Sequence, residues 1–436
     1  MKSILPFILL LTLFITGCKK DDAPASLLNA GKINLVHGNN QSGVFGELLG
    51  DSVVLKISSP NPADRFMITA VMEQGNGQVQ RWNSGYTALP LLLTTAGTVS
   101  LSWRMGCDNT VQKVTFYVYT NTIGYGIPAT PPSDSVTVTA SAVKPSGWCK
   151  ACGYGALNSY SAKIVSRGNN TLYLVNGGLF SSTDGGYNWY KVPGIPYADE
   201  LVDLQFNSQQ WAYVLTKNHG VYYSKNMQQW TEINYGIIDM RDPTAFYVED
   251  TAMFVSFYFD GPYRTVNNGA FWKKMVTGGF SDRYTIFLRH PDGRIMLFDK
   301  WDDLKVSSNN GDSWSLVNLS YAYRSSTVND FKVDAQGMLY IASGDATISV
   351  VDPNTFQGTA HRYYQWNGSS QYVNNITLAG NDVFYLVNHT PTPGIYSKNN
   401  NWGLLNIGFA GSIGYYFRKT DGNFLLSSGG WLHHKN

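Results

Sequence analysis

The sequence predicts an all-β protein: a β-sandwich over residues 32–143, then a β-propeller over residues 162–436 with seven blades or, on the alternative count, six. Three observations predict it. Aromatic residues make up 14% of the 436 positions and glycine supplies 43 of them, a composition suited to many short strands and turns. Charged residues reach only 14%, against about 25% in an average soluble protein, which excludes intrinsic disorder and coiled coil. A short motif then recurs about every 42 residues through the C-terminal part, the period of a four-stranded unit.

The N-terminus reads as an address. Lys2 precedes an apolar run from Ile4 to Ile15, too short to cross a bilayer, and then Thr16, Gly17 and Cys18. Residues 1–17 are expected to be a signal peptide and residues 18–31 a tether. Ile15-Thr16-Gly17-Cys18 resembles a bacterial lipobox, which implies that Cys18 is lipidated and anchors the chain. Cys18-Lys19-Lys20-Asp21-Asp22 is similar to the start of many outer-membrane lipoproteins of the Bacteroidota, in which an acidic pair can accompany surface display. The resemblance implies an outer-membrane protein facing the cell exterior.

Residues 32–143 alternate apolar runs with turns. Val53 to Ile57, Phe66 to Val71, Thr98 to Trp103 and Lys113 to Tyr119 are strand-like, and several short strands in so short a segment suggest a sandwich. Gly38 to Gly43, Thr95 to Gly106 and Gln112 to Val114 together resemble bacterial immunoglobulin-like domains of the invasin type. That resemblance implies a spacer or adhesion module that lifts the following domain from the membrane.

Residues 144–161 read as a linker that can also supply a ring-closing strand, expected between Cys152 and Ser159. Trp148-Cys149-Lys150-Ala151-Cys152 has thioredoxin-like spacing but no βαβ pattern around it, and two cysteines are half a zinc site. In an exported chain the spacing favours a local Cys149–Cys152 disulfide, with Cys107 as a competing partner.

The repeat begins with Ser182-Thr183-Asp184-Gly185-Gly186-Tyr187-Asn188-Trp189. Its acidic or amide position recurs at Asn226, Asn267 and Asn309, giving steps of 42, 41 and 42, then at a degenerate Asp352 and at Asn399. Polar-glycine turns at Asp292-Gly293, Gln336-Gly337 and Asp421-Gly422 announce second strands, and units start near 162, 202, 244, 284, 329, 373 and 412. The last unit has room for three strands, so it needs one from elsewhere to remove an open edge.

The motif Ser-x-Asp-x-Gly-x-x-Trp resembles the Asp-box, or BNR repeat, of sialidases, some xyloglucan-degrading glycosidases, the sortilin family and a photosystem assembly factor. The resemblance implies a structural role for Asp184, Asn226, Asn267, Asn309 and Asn399. An amide oxygen can cap a turn but cannot act as a general base.

Function is then expected in the loops at the opposite end of the units. Those loops offer Tyr197, Arg241, Arg283, Trp301, Tyr323, Arg324 and Trp366 as ligand-binding side chains, since aromatic faces flanked by guanidinium and carboxylate groups suit carbohydrate rings. Asp199, Asp260, Asp282 and Asp299 are the weak catalytic candidates, because paired carboxylates can hydrolyse a glycoside.

A sialidase resembling the known family would need an arginine triad and a Tyr–Glu pair. The Phe/Tyr-Arg-Ile-Pro motif before the first repeat is missing, and Glu200, Glu232 and Glu249 are the only glutamates after residue 162. No Gly-x-Ser-x-Gly, His-Glu-x-x-His or phosphate loop occurs. With 32 Lys plus Arg against 30 Asp plus Glu, the chain has no basic field for nucleic acid. No cofactor or metal is expected, and the pair His433-His434 reads as solvated tail. The reading is a surface-anchored binder of a glycan or protein, with a glycoside hydrolase or sialidase-like enzyme, or an assembly factor, as alternatives.

Overall fold

The computed structural model describes residues 31–81, 91–93, 95–120, 131–153, 162–168, 171–250, 252–276, 285–299, 304–317, 319, 328–344, 347–362, 372–388, 394–410 and 413–435. Every regular element among them is a strand apart from a short 3-10 turn, so the chain is all-β. The expected signal peptide, Cys18 and nearly all of the expected tether lie outside the described residues.

The N-terminal part consists of two facing sheets. One orders Lys32–His37, Val53–Ser58, Gly97–Arg104 and Gln78–Arg81; the other orders Gln41–Val44, Asp134–Val143, Val111–Thr120, Phe66–Gln74 and Leu91–Leu93. The period-2 alternation of a strand decides what fills the space between them. Val53, Leu55 and Ile57 point inward while Lys56 is exposed, and they meet Phe66, Ile68, Val114, Phe116 and Val118 from the other sheet around Trp103.

The described residues of the C-terminal part form seven four-stranded antiparallel sheets in succession. The first comprises Lys163–Arg167, Thr171–Val175, Leu179–Ser182 and Tyr190–Lys191, and the others begin at Leu201, Pro243, Thr285, Val328, Tyr372 and Tyr415. Second strands such as Ala212–Thr216, Met253–Phe257 and Leu339–Ser343 are buried along their whole length, because a sheet lies against each of their faces. First strands carry bulges at Leu201/Asp203, Pro243/Ala245, Val328/Asp330 and Asn374/Thr377. Some of them tie adjacent sheets together: Asp203 pairs with Lys163 of the first sheet, and Asp330 accepts the Ile376 amide at 2.6 Å. The seventh sheet packs on the first through Leu425 and Leu432 against Ile164, Leu172 and Leu174.

The repeated turn joins the third and fourth strands. Asp184 Oδ1 accepts from Ser182 Oγ and from the amides of Tyr187 and Asn188, and its Oδ2 accepts from Asn188 Nδ2. Asn226, Asn267 and Asn309 accept equivalent amide bonds. Gly186 follows at φ +94°, where a Cβ would stand 2.7 Å from Leu425 of the seventh sheet, so only glycine allows that approach. Trp189 and Trp272 are each 1% exposed and donate their indole N–H to Gly186 O and Ile233 O.

Asn399 departs from this pattern. Its side chain is exposed, and Asp382, from the second strand, accepts the Asn399 amide at 2.9 Å and the Ser397 hydroxyl at 2.8 Å. The sixth turn is thus braced from a neighbouring strand rather than from within the motif, a substitution that sequence spacing cannot reveal.

Three expectations about the linker and the C-terminus are corrected. The disulfide joins Cys107 to Cys152, not Cys149 to Cys152. Cys152 lies beyond the end of the strand Trp148–Lys150, bridges Asn188 and enters the core between the N-terminal sheets, whereas Cys149 is buried on the seventh sheet. The fourth strand of the last sheet is Trp148–Lys150, paired antiparallel with Trp431–Lys435, and so precedes the segment expected to supply it. His433 and His434 belong to that edge pair, and His434 is fully buried rather than solvated.

The two parts meet tightly around this linker. Besides the disulfide, Asn76 Nδ2 donates to Asn188 Oδ1 at 2.6 Å, Lys150 pairs with Glu47 at 3.0 Å, and the Arg104 guanidinium lies 4.2 Å from the Trp431 ring centre.

Candidate functional site

The end of the sheets opposite the repeated turns is built from the turns between second and third strands and from the connections between sheets. In the second and third sheets a run of backbone bonds ties these segments together. Lys217 N donates to Glu200 O at 2.8 Å, Asp242 N to Lys217 O at 3.1 Å, and Tyr258 N to Asp242 O at 2.9 Å. The turns at 217–219 and 258–260 are therefore held beside the connections entering from the preceding sheet. Two non-glycine residues there adopt left-handed backbone, Tyr197 at φ 47° and Asp242 at φ 49°, a conformation that costs about 1–3 kcal/mol and persists only when its surroundings impose it.

Tyr197 opens the 3-10 turn Ala198–Glu200 and remains 46% exposed. Its ring stacks on His219, with centroids 3.5 Å apart and planes 6° from parallel. Below it, burial, then Glu232 and Tyr197 itself, pushes the Tyr222 hydroxyl up to about 12, so that ring stays neutral. Glu200 Oε2 accepts from Asn218 Nδ2 at 3.1 Å and lies 3.7 Å from His219 Nε2.

Arg241 is gripped by Asp239 of its own loop. Its Nε and amide donate to Oδ1 at 2.9 and 3.0 Å, and its Nη2 donates to Oδ2 at 2.5 Å. These bonds hold the Asp239 carboxyl down at about 2 and raise Arg241. The guanidinium also stands 5.2 Å from the ring of Phe259, which is 60% exposed at a turn tip.

Asp260 is committed elsewhere. It accepts from Lys274 Nζ at 2.5 Å, from the Tyr263 hydroxyl and from the Asp239 amide at 3.1 Å. Burial opposes its ionisation, yet those donors keep its carboxyl below the usual range. Such an acid is a brace rather than a proton donor.

Of the residues expected here, Tyr197, Arg241, Asp199 and Asp260 are described, and Asp199 is exposed on the 3-10 turn. Arg283, Trp301, Tyr323, Arg324, Trp366 and Asp282 lie outside the described residues, and of Asp299 only the strand backbone, paired with Thr285, is described. The structure adds His219, Glu200, Asp239 and Phe259 as partners. His219 and Asp239 stand in loops that the repeat grammar locates, but nothing local singles them out. Phe259 has a weak signal, an aromatic at the tip of the turn before Asp260-Gly261.

No protein-family model matches the chain, and no curated protein sequence matches it. Among solved structures it is similar to the extracellular domain of a hybrid two-component system from B. thetaiotaomicron, at 15% identity and a TM-score of 0.48, over 67% of this chain and 40% of that one. It is also similar to YCF48 from Cyanidioschyzon merolae, at 13% identity and a TM-score of 0.48, over 67% of this chain and 99% of that one. Virginiamycin B lyase from Staphylococcus aureus is similar at 10% identity and a TM-score of 0.49, over 66% and 98% of the two chains. None of these likenesses transfers an activity.

Proposed function

We propose that this chain is a lipid-anchored outer-membrane protein, held by Cys18 and facing the cell exterior, whose loop end binds a glycan or protein ligand, a glycan being the better fit. On this reading the seven sheets are the blades of a closed β-propeller braced by Asp-box turns, and the N-terminal pair of sheets is an immunoglobulin-like stalk. The seventh sheet's packing on the first supports closure. The Cys107–Cys152 bridge supports a stiff connection to the stalk.

One observation carries the binding assignment. Tyr197, in left-handed backbone and stacked on His219, presents an exposed aromatic face on the end that also holds Glu200, Arg241 and Phe259. A sugar ring has an apolar C–H face for the aromatic and hydroxyls for the flanking carboxylate and guanidinium. Asp260, held ionised by Lys274 and Tyr263, supplies no general acid.

The test is a glycan array probed with the full chain carrying Cys18→Ser, followed by titration of hits. A retained, unhydrolysed glycan whose binding falls at least tenfold in Tyr197→Ala supports the reading. Product release would establish an enzyme, and silence with every glycan would leave a protein ligand.

A further inference from the structure

A cleft of about 190 Å³ opens at the other end of the molecule, where the Asp184 turn of the first sheet meets the turn after the first strand of the seventh. Its floor is unusual in its charges. The Arg418 guanidinium lies 4.8 Å from the Phe384 ring centre, and its Nε is buried with no hydrogen-bond acceptor among the described residues. Arg241, Arg264 and Arg294, by contrast, each find carboxylates.

Lys419 stands beside it, its side chain 11% exposed and its Nζ 3.3 Å from Asp421. Asp421 is itself held by the Asn423 amide, so the three side chains sum to one net positive charge. Gly185 completes the wall. A Cβ at that position would stand 3.5 Å from Lys419 Nζ, and any longer side chain would cover the ammonium group. Ser166, Thr183 and Thr420 add hydroxyls, while Leu172 and Phe417 supply an apolar side.

We propose that this cleft binds a small hydroxy-carboxylate, with the carboxylate at Arg418 and Lys419 and the carbon skeleton against Leu172 and Phe417. A guanidinium carries paired N–H groups that match the two oxygens of a carboxylate in plane, which a lysine alone does not do. The single net charge fits one anion, and the hydroxyl-lined, half-apolar walls fit a polyol skeleton rather than a bare ion. His434 behind the cleft stays uncharged and adds nothing to this balance. The site is independent of the loop-end reading.

Calorimetric titration of the purified full chain tests it, with sodium glucuronate as probe and glucose and sodium sulfate as comparisons. Saturable glucuronate binding, no response to glucose, and sulfate at least fivefold weaker are expected. Arg418→Met should weaken glucuronate roughly tenfold or more, while Tyr190→Ala, an exposed position outside the cleft lining, leaves it unchanged. Absent glucuronate binding, equal binding of sulfate or glucose, or an unaffected Arg418→Met protein would each overturn the proposal. Should Arg418→Met fail to fold, phenylglyoxal labelling of Arg418 in the unaltered chain decides: protection by glucuronate and not by glucose supports the site, and equal labelling refutes it.

Discussion

Cys149 Sγ lies 2.7 Å from His434 Nε2, across the pair of strands that joins the linker to the chain's C-terminus. Both residues are buried, at 5% and 0% exposure. The contact spans 285 positions of sequence and marks where the seventh sheet acquires its fourth strand. Burial first, and then Lys419 and Lys144, push the His434 imidazole down to about 3.

Stability should therefore fall on acidification before the carboxylates titrate. An unfolded imidazole takes up its proton near 6.5, whereas the folded one resists until about 3. The unfolded state thus binds the extra proton throughout that window, and stability, fully present above 6.5, is lost as pH drops through it. The loss should amount to a few kcal/mol on reaching the lower end. Urea denaturation between pH 7.5 and 4.5 should show it, and His434→Gln should flatten the dependence; an equal slope in both proteins would remove His434 as the cause.

The cysteine pairing is directly checkable. Peptide mapping of the unreduced protein should recover Cys107 linked to Cys152, with Cys149 alkylated only after denaturation. A bridge between residues 45 apart is worth about 4 kcal/mol on the chain-entropy account. Cys107→Ser with Cys152→Ser should lower the denaturation midpoint accordingly, and a Cys149–Cys152 peptide would contradict the pairing.

The turn carboxylates should rank by the bonds they accept. Asp184→Ala removes the acceptor of four hydrogen bonds and should cost about 2–3 kcal/mol. In the sixth sheet Asp382→Ala should cost about 1–2 kcal/mol, with Asn399→Ala within about 0.5 kcal/mol of wild type. Thermal melts of the three variants give the order, and a larger loss at Asn399 than at Asp382 would reverse the assignment.

The indoles should matter for packing. Trp189→Ala removes a ring 1% exposed and leaves its pocket beside the seventh sheet, at a cost of about 3–5 kcal/mol. Tyr190→Ala, its neighbour at 53% exposure, should stay within about 0.5 kcal/mol. Chemical denaturation of the two proteins compares them.

What could be read along the chain was what the chain repeats locally. Asp184, Gly186 and Trp189 form their turn among themselves and against the next sheet, so their spacing in sequence is their spacing in space, and it recurs at Asn226, Asn267 and Asn309. The alternation at Val53, Leu55 and Ile57 is equally local, since a strand has only two faces. The ends of the units could be sorted into turn side and loop side for the same reason.

The tertiary structure decided every feature that depends on distant segments meeting. Cys152 could pair with Cys149 or Cys107 by proximity along the chain, and the choice followed from Trp148–Lys150 being drawn onto Trp431–Lys435 while Cys152 turned into the sandwich core. The same meeting buried His434, gave the last sheet its fourth strand, and set Arg418 and Lys419 against Gly185. Tyr197 and His219 likewise became a stacked pair only when two loops closed on one end. Sequence by itself determined the repeating unit, because its hydrogen bonds are short-range; partners and charge environments awaited the closing of long loops, whose ends carry no local mark of each other.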